Sequence, residues 1–139
     1  MANWLVKSEP EDYSFEDLLA DGRTMWDGVR NYAARNNLRK MQQGDWVLFY
    51  HSRTGLEVVG IARVCRESYP DPTEEREDWS VVDLEPVAPL KKSVSLKAIK
   101  AEPALANIDL VRNSRLSVMP ISDDAFRKIL DMADTPMPQ

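Results

Sequence analysis

Short apolar runs alternate with short amphipathic stretches along this chain. Trp4-Leu5-Val6 gives way to polar Lys7-Ser8 and the breaker Pro10, which predicts a first buried strand. Ser14-Phe15-Glu16-Asp17 fits a capping box, and Phe15, Leu18 and Leu19 form a helical stripe that Asp21-Gly22 stops. A second helix is predicted from Asn31 to Met41, with Ala34, Leu38 and Met41 on one face and Arg35 and Arg39 on another. Trp46 to Tyr50 is continuously apolar, as in a strand covered on both sides. Val58 to Val64 is its hairpin partner across Arg53-Thr54-Gly55, and Gly60 within it predicts a bulge or a close approach by another backbone.

Ser68 to Asp78, acidic and interrupted by Pro70 and Pro72, reads as a solvated loop. Trp79 to Val87 alternates partly and predicts a third long strand. Ser95 caps a short helix over Leu96–Ala101, and Leu116 to Met119 reads as a last strand before Pro120. Ser122 then caps a terminal helix carrying Ala125, Phe126, Ile129, Leu130 and Met132, with Asp123 and Asp124 at its positive end. Asp134 to Gln139 reads as a frayed tail. With five to six strands and short interspersed helices, the expectation is one α+β domain over residues 1–135 and a flexible tail at 136–139. Its geometry should be a small, partly closed mixed barrel surrounded by helices.

Composition narrows the function. The 139 residues include one cysteine and one histidine, too few for a disulfide framework or a His-rich metal site. No metal or cofactor is expected. No apolar run reaches the ~20 residues of a membrane helix, and nothing resembles a signal peptide, so a cytoplasmic protein with no membrane partner is expected. The formal net charge of −5 argues against a generic nucleic-acid coat. The sign alternates along the chain, however. Residues 22–66 hold eight basic residues against three acids, and residues 86–115 hold six against two, with acidic segments between. Local positive surface is therefore compatible with an acidic total.

Catalytic signatures are missing: there is no phosphate-binding glycine loop, nucleophile elbow or His-Glu-x-x-His. His51 and Ser52 are adjacent on a strand and point to opposite faces, so one cannot readily serve the other as base. Cys65 has Arg63 and Arg66 nearby, which favours a thiolate, against the simpler reading of an inert thiol. An enzyme using His51 or Cys65 is the weakest of three functional readings. The segment Met25 to Asn36 is the most unusual. Trp26 there is either a core plug or a platform for a planar ligand. In the second case Arg30 and Arg35 would meet phosphates and Asn31 a base edge; Asn31 is equally an ordinary helix cap. Lys7-Ser8-Glu9 places polar groups at the mouth of the barrel.

Several segments in order resemble an EVE-domain protein: Trp4–Pro10, Trp26–Asn36, Phe49–Ser52, Gly60–Ala62, Trp79–Asp83 and Arg115–Val118. They cover nearly the whole chain. The resemblance implies a PUA-like fold, related to YTH domains that bind N6-methyladenosine in RNA, and a pocket that reads modified bases in RNA or DNA. By comparison with YTH domains, Trp26 resembles the first tryptophan of the methyl-adenine cage. Lys7 and Ser8 resemble the Lys-Ser that ends their first strand, and Glu9 falls at a base-contacting position. His51 and Ser52 end the strand after the second helix, and Tyr69 and Trp79 are candidate further walls. Arg115 resembles an arginine that holds nucleic-acid backbone, to which Arg30, Arg35 and Arg39 would add a positive rim. Glu9 stands where some relatives carry an amide, so it would accept donors such as a cytosine amino group. The reading is a non-catalytic domain that binds nucleic acid carrying a modified base. The alternative is a sensor of a free nucleoside, nucleotide or other small molecule.

Overall fold

The computed structural model describes residues 2–74 and 78–138. Helices α1 (Phe15–Asp21), α2 (Tyr32–Lys40), α3 (Leu96–Ala101) and α5 (Asp123–Met132) begin on side-chain caps legible in the sequence: Ser14, Asn31, Ser95 and Ser122. The capping box of α1 is complete. Ser14 Oγ accepts from the Asp17 amide at 3.0 Å, and the Asp17 carboxylate accepts from the Ser14 amide at 2.9 Å. A 3-10 turn at Pro103–Leu105 and α4 (Asp109–Arg112) were not predicted, being too short to carry a period.

Six strands form one mixed sheet: β1 (Asn3–Ser8), β2 (Thr24–Met25), β3 (Trp46–His51), β4 (Glu57–Pro70), β5 (Ser80–Ser95) and β6 (Val118–Ile121). Their order is β2-β5-β4-β3-β1-β6. β1 and β3 are parallel, so the chain crosses over through α1, β2 and α2 between them. The other neighbours are antiparallel. β2 and β6 do not pair with each other, so the sheet stays open where a partial barrel was expected. β6 is an edge, which is why exposed Pro120 is tolerated in it.

β4 and β5 outrun their predicted lengths. β4 continues through Ser68 to Pro70, so the expected loop begins no earlier than Asp71, and its residues 75–77 lie outside the described residues. Four register shifts along the β4–β5 pair break the alternation that would have revealed the extension. Pro86 and Pro89 flank two of those shifts, where a missing amide donor is cheap. The tail is partly pinned: the Thr135 amide donates to the Leu130 carbonyl, and the Thr135 hydroxyl accepts from the Lys91 amide. Gln139 lies outside the described residues.

The run 47–49 in β3 is fully buried, as a doubly covered strand requires. Trp4 donates its indole N–H to buried Asp45 at 2.9 Å, and the same carboxylate accepts from the Gln42 amide. Gly60 meets both expectations in modified form. The ladder shifts register beside it, and the close approach comes from the Phe15 ring of α1 rather than from a backbone. A Cβ at Gly60 would overlap that ring. Gly60→Ala should therefore cost about 1–3 kcal/mol by overpacking. Denaturant unfolding should show this loss, and a Phe15→Leu background should recover part of it. Equal losses in both backgrounds would refute the contact as its cause. No helix among the described residues is long and apolar enough to cross a membrane.

Candidate functional site

The crossover that follows β1 creates the site. β1 ends at Ser8, the chain turns through Glu9–Tyr13, and β2 returns it to the sheet on β5. Between these ends lies a cleft of about 440 Å³. Lys7, Ser8, Asp12, Tyr13, Ser117 and the stretch Thr24 to Arg30 line it.

Trp26 is both core and wall. It is 8% exposed and belongs to the hydrophobic core, yet it lines the cleft. Phe49 and Tyr13 pack edge-on against it at 5.4 and 6.4 Å between ring centroids. Its amide donates to the Val82 carbonyl at 2.7 Å, which fixes the residue to β5. Beyond it, Gly28 takes φ +75, backbone that an L side chain adopts only at a cost.

Asp71 holds the rim from below. Its buried carboxylate accepts from the Arg30 guanidinium at 3.0 Å, the Gly28 amide at 3.4 Å and the Thr73 amide at 2.7 Å. Burial pushes this carboxyl up, but hydrogen bonds from Thr73, Arg30 and Gly28 outweigh it and hold it below the usual value. From the sequence alone Asp71 falls in a solvated loop. The missed signal is Asp71-Pro72-Thr73, an Asx turn in which Asp bonds the amide two residues on.

A second cleft of about 520 Å³ adjoins the first and shares Lys7, Asp12 and Ser117 with it. Glu9, Ser52 and Arg53 line it. Lys7 stands between the two: its ammonium donates to the Ser114 carbonyl at 3.0 Å and lies 6.0 Å from the Tyr50 ring centroid. Burial lowers its pKa. Ser8 donates to the Tyr13 carbonyl and so shapes the turn after β1.

The structure thus brings Lys7, Ser8, Trp26 and Arg30 to one cleft, and Glu9 and Ser52 to its neighbour. Other expected residues lie elsewhere. Asn31 spends its side chain as the cap of α2, accepting from the Ala34 amide. His51 Nε2 accepts from the Phe15 amide at 3.1 Å and lines neither cleft. Burial lowers its pKa, consistent with the neutral ring that this bond needs. Trp79 is buried against Tyr32, stacked at 5.1 Å, with Arg35 at 5.8 Å from its ring. Arg39 pairs with Asp78 and donates to Ser80. Tyr69 donates to Asp83, and burial together with that bond pushes its hydroxyl up to about 12. Arg115 is exposed and lines neither cleft. Asp12, Tyr13 and Ser117 enter the site without having been foreseen, because only the crossover and the β1–β6 pairing place them there.

Chemically, the first cleft offers an aromatic wall, carboxylate acceptors at Asp12 and Asp27, and cationic donors at Lys7 and Arg30. The open six-stranded sheet with this cleft beside its first strand defines an α+β domain of mixed topology. It shares that fold with the YTH domain of the Zygosaccharomyces rouxii MRB1 protein, solved with N6-methyladenosine RNA. The TM-score is 0.63 at 17% identity, over 99% of this chain and 89% of that one. The chain belongs to the EVE-domain family, whose model matches residues 2–132. It is 34% identical to human thymocyte nuclear protein 1, over 96% of this chain and 74% of that protein. It also resembles the solved Agrobacterium tumefaciens protein Atu2648, with a TM-score of 0.95 and 44% identity over 97% and 94% of the two chains. The structure of the human THYN1 protein in complex with 5-methylcytosine-containing DNA matches with a TM-score of 0.90 and 32% identity, over 99% and 100% of the two chains.

Proposed function

We propose that this chain is a non-catalytic reader of a modified base in nucleic acid, and that the base enters the cleft beside Trp26. The observation that carries the reading is that cleft itself, about 440 Å³, with an aromatic wall and both acceptors and cations at its edge. An extruded base needs a flat apolar wall, polar groups for its edge and positive charge for its phosphates. Trp26 supplies the first, Asp12 and Asp27 accept from an exocyclic amino group, and Lys7 and Arg30 face the phosphates. The relative of known structure that carries 5-methylcytosine DNA, matched over 99% of this chain, makes a modified cytosine the first base to try. The conventional reactive groups lie outside that cleft. His51 accepts a backbone hydrogen bond, and burial raises the Cys65 pKa while Cys65 lies outside the cleft.

The test is a thermal-shift panel of short oligonucleotides that differ only in one modified base. A ligand at about 100 times its Kd stabilises the state it binds by ~2.7 kcal/mol. A shift confined to one modification is expected. Equal shifts for modified and unmodified strands, or none, would refute base reading. Selective shifts with the free nucleoside, insensitive to salt and no stronger with the oligonucleotide, would instead mark a small-molecule sensor.

A further inference from the structure

The second cleft does not end at Arg53. A third hollow of about 620 Å³ continues from it, sharing Arg53, Leu56 and Leu96 and adding Lys97 and Lys100. We propose that this continuous trough carries the nucleic-acid strand that flanks the base in the Trp26 cleft, with its phosphates against Arg53, Lys97 and Lys100. The proposal rests on the base-reading function and names the path of the rest of the ligand.

Charge is the first reason. The chain is −5 overall, yet the third hollow is lined by three cations and no acid. Among the described residues, Lys97 and Lys100 are exposed and neither is drawn into an ion pair. Arg53 meets Glu9 only at 3.4 Å, with its side chain 74% exposed, so a phosphate can compete for it. Continuity is the second reason. Lys7 belongs to the base cleft and to the second cleft, and Arg53 to the second and the third, so the cations are spaced along one path. Shape is the third. Leu56 is 43% exposed and, with Leu96, gives the hollow an apolar floor on which a neighbouring base can rest. The turn that presents it is held firmly. Arg53 and Leu56 sit at φ +70 and +25, unusual for side chains of this size, and the Leu56 carbonyl accepts from the Leu96 amide at 2.9 Å.

The experiment compares wild type, a Lys97→Gln/Lys100→Gln double variant and Arg53→Gln for binding to one modified nucleoside and to single-stranded oligonucleotides around it, across a salt series. The substituted side chains lie outside the Trp26 cleft. The double variant is expected to bind the oligonucleotide about tenfold more weakly, with the slope of log K against log salt reduced by about 0.7 per lost contact. Nucleoside affinity should be unchanged. Arg53→Gln should show the same pattern at about half the size. Oligonucleotide binding unaltered in both variants would overturn the path. If the variants weaken modified and unmodified strands alike and wild type never distinguishes them, the path stands and base reading fails. Tight binding of poly-glutamate with no oligonucleotide binding would overturn the path and assign the trough to an acidic protein segment.

Discussion

Trp26→Ala is expected to remove about 3–5 kcal/mol of stability, the range for deleting a large buried aromatic. The indole is 8% exposed and edge-packed by Phe49 and Tyr13, so alanine leaves a cavity those rings cannot close. Loss of base binding in that variant would therefore say little about stacking, although the sequence alone makes it the obvious test. Trp26→Phe separates the two roles. It keeps an aromatic ring against Phe49 and loses less stability than alanine, while shortening the wall of the cleft. Binding to the modified base should weaken by about 1 kcal/mol, the lower end of the worth of an aromatic platform. Calorimetric unfolding and oligonucleotide titration of both variants measure the two effects. A folded Trp26→Phe protein with wild-type affinity would reduce Trp26 to a core residue.

Asp71→Ala should cost about 2–3 kcal/mol and open the rim of the cleft. The alanine leaves the Thr73 and Gly28 amides without their acceptor, and hydrogen bonds to a charged group are worth about 1.5–3 kcal/mol. The cost stays below that of a fully buried ion pair because Arg30 keeps 38% of its side chain in water and can turn to it. Asp71→Asn is nearly isosteric but turns an N–H2 toward donors, so most of the loss should persist. The pH dependence has a defined sign. The folded carboxyl titrates below its ordinary value of 3.8, so its contribution is present above that pH and is lost as pH falls through the folded value. The advantage of wild type over Asp71→Asn should therefore shrink below about pH 4. Hydrogen exchange at the Gly28 amide should quicken in both variants, and base affinity should drop with it. Unchanged exchange and affinity would show that the rim holds itself.

Local chemistry was legible where it acts over a few residues. Each of the caps Ser14, Asn31, Ser95 and Ser122 needs only its own side chain and an amide two or three residues on, so the helix starts could be read directly. The doubly buried run of β3 was equally plain. The site was harder. Trp26 and Lys7-Ser8 stood out by type and by resemblance, but their neighbours across the cleft come from the turn after β1 and from Ser117 before β6. Trp79 shows the opposite case. An aromatic that opens a predicted strand is eligible as a wall or as core, and it packs against Tyr32 outside both clefts.

The α+β class, the capped helices, the buried central strand and the segment around Trp26 follow from the order of residues alone, because propensity, capping and hydrophobic period are local properties. Packing of distant segments makes Asp71 an anchor rather than a solvated acid, brings the Phe15 ring against Gly60, and sets Lys7 between two clefts. Each of these depends on which distant strands pair and in what register, and the bulges that set the register leave no periodic trace.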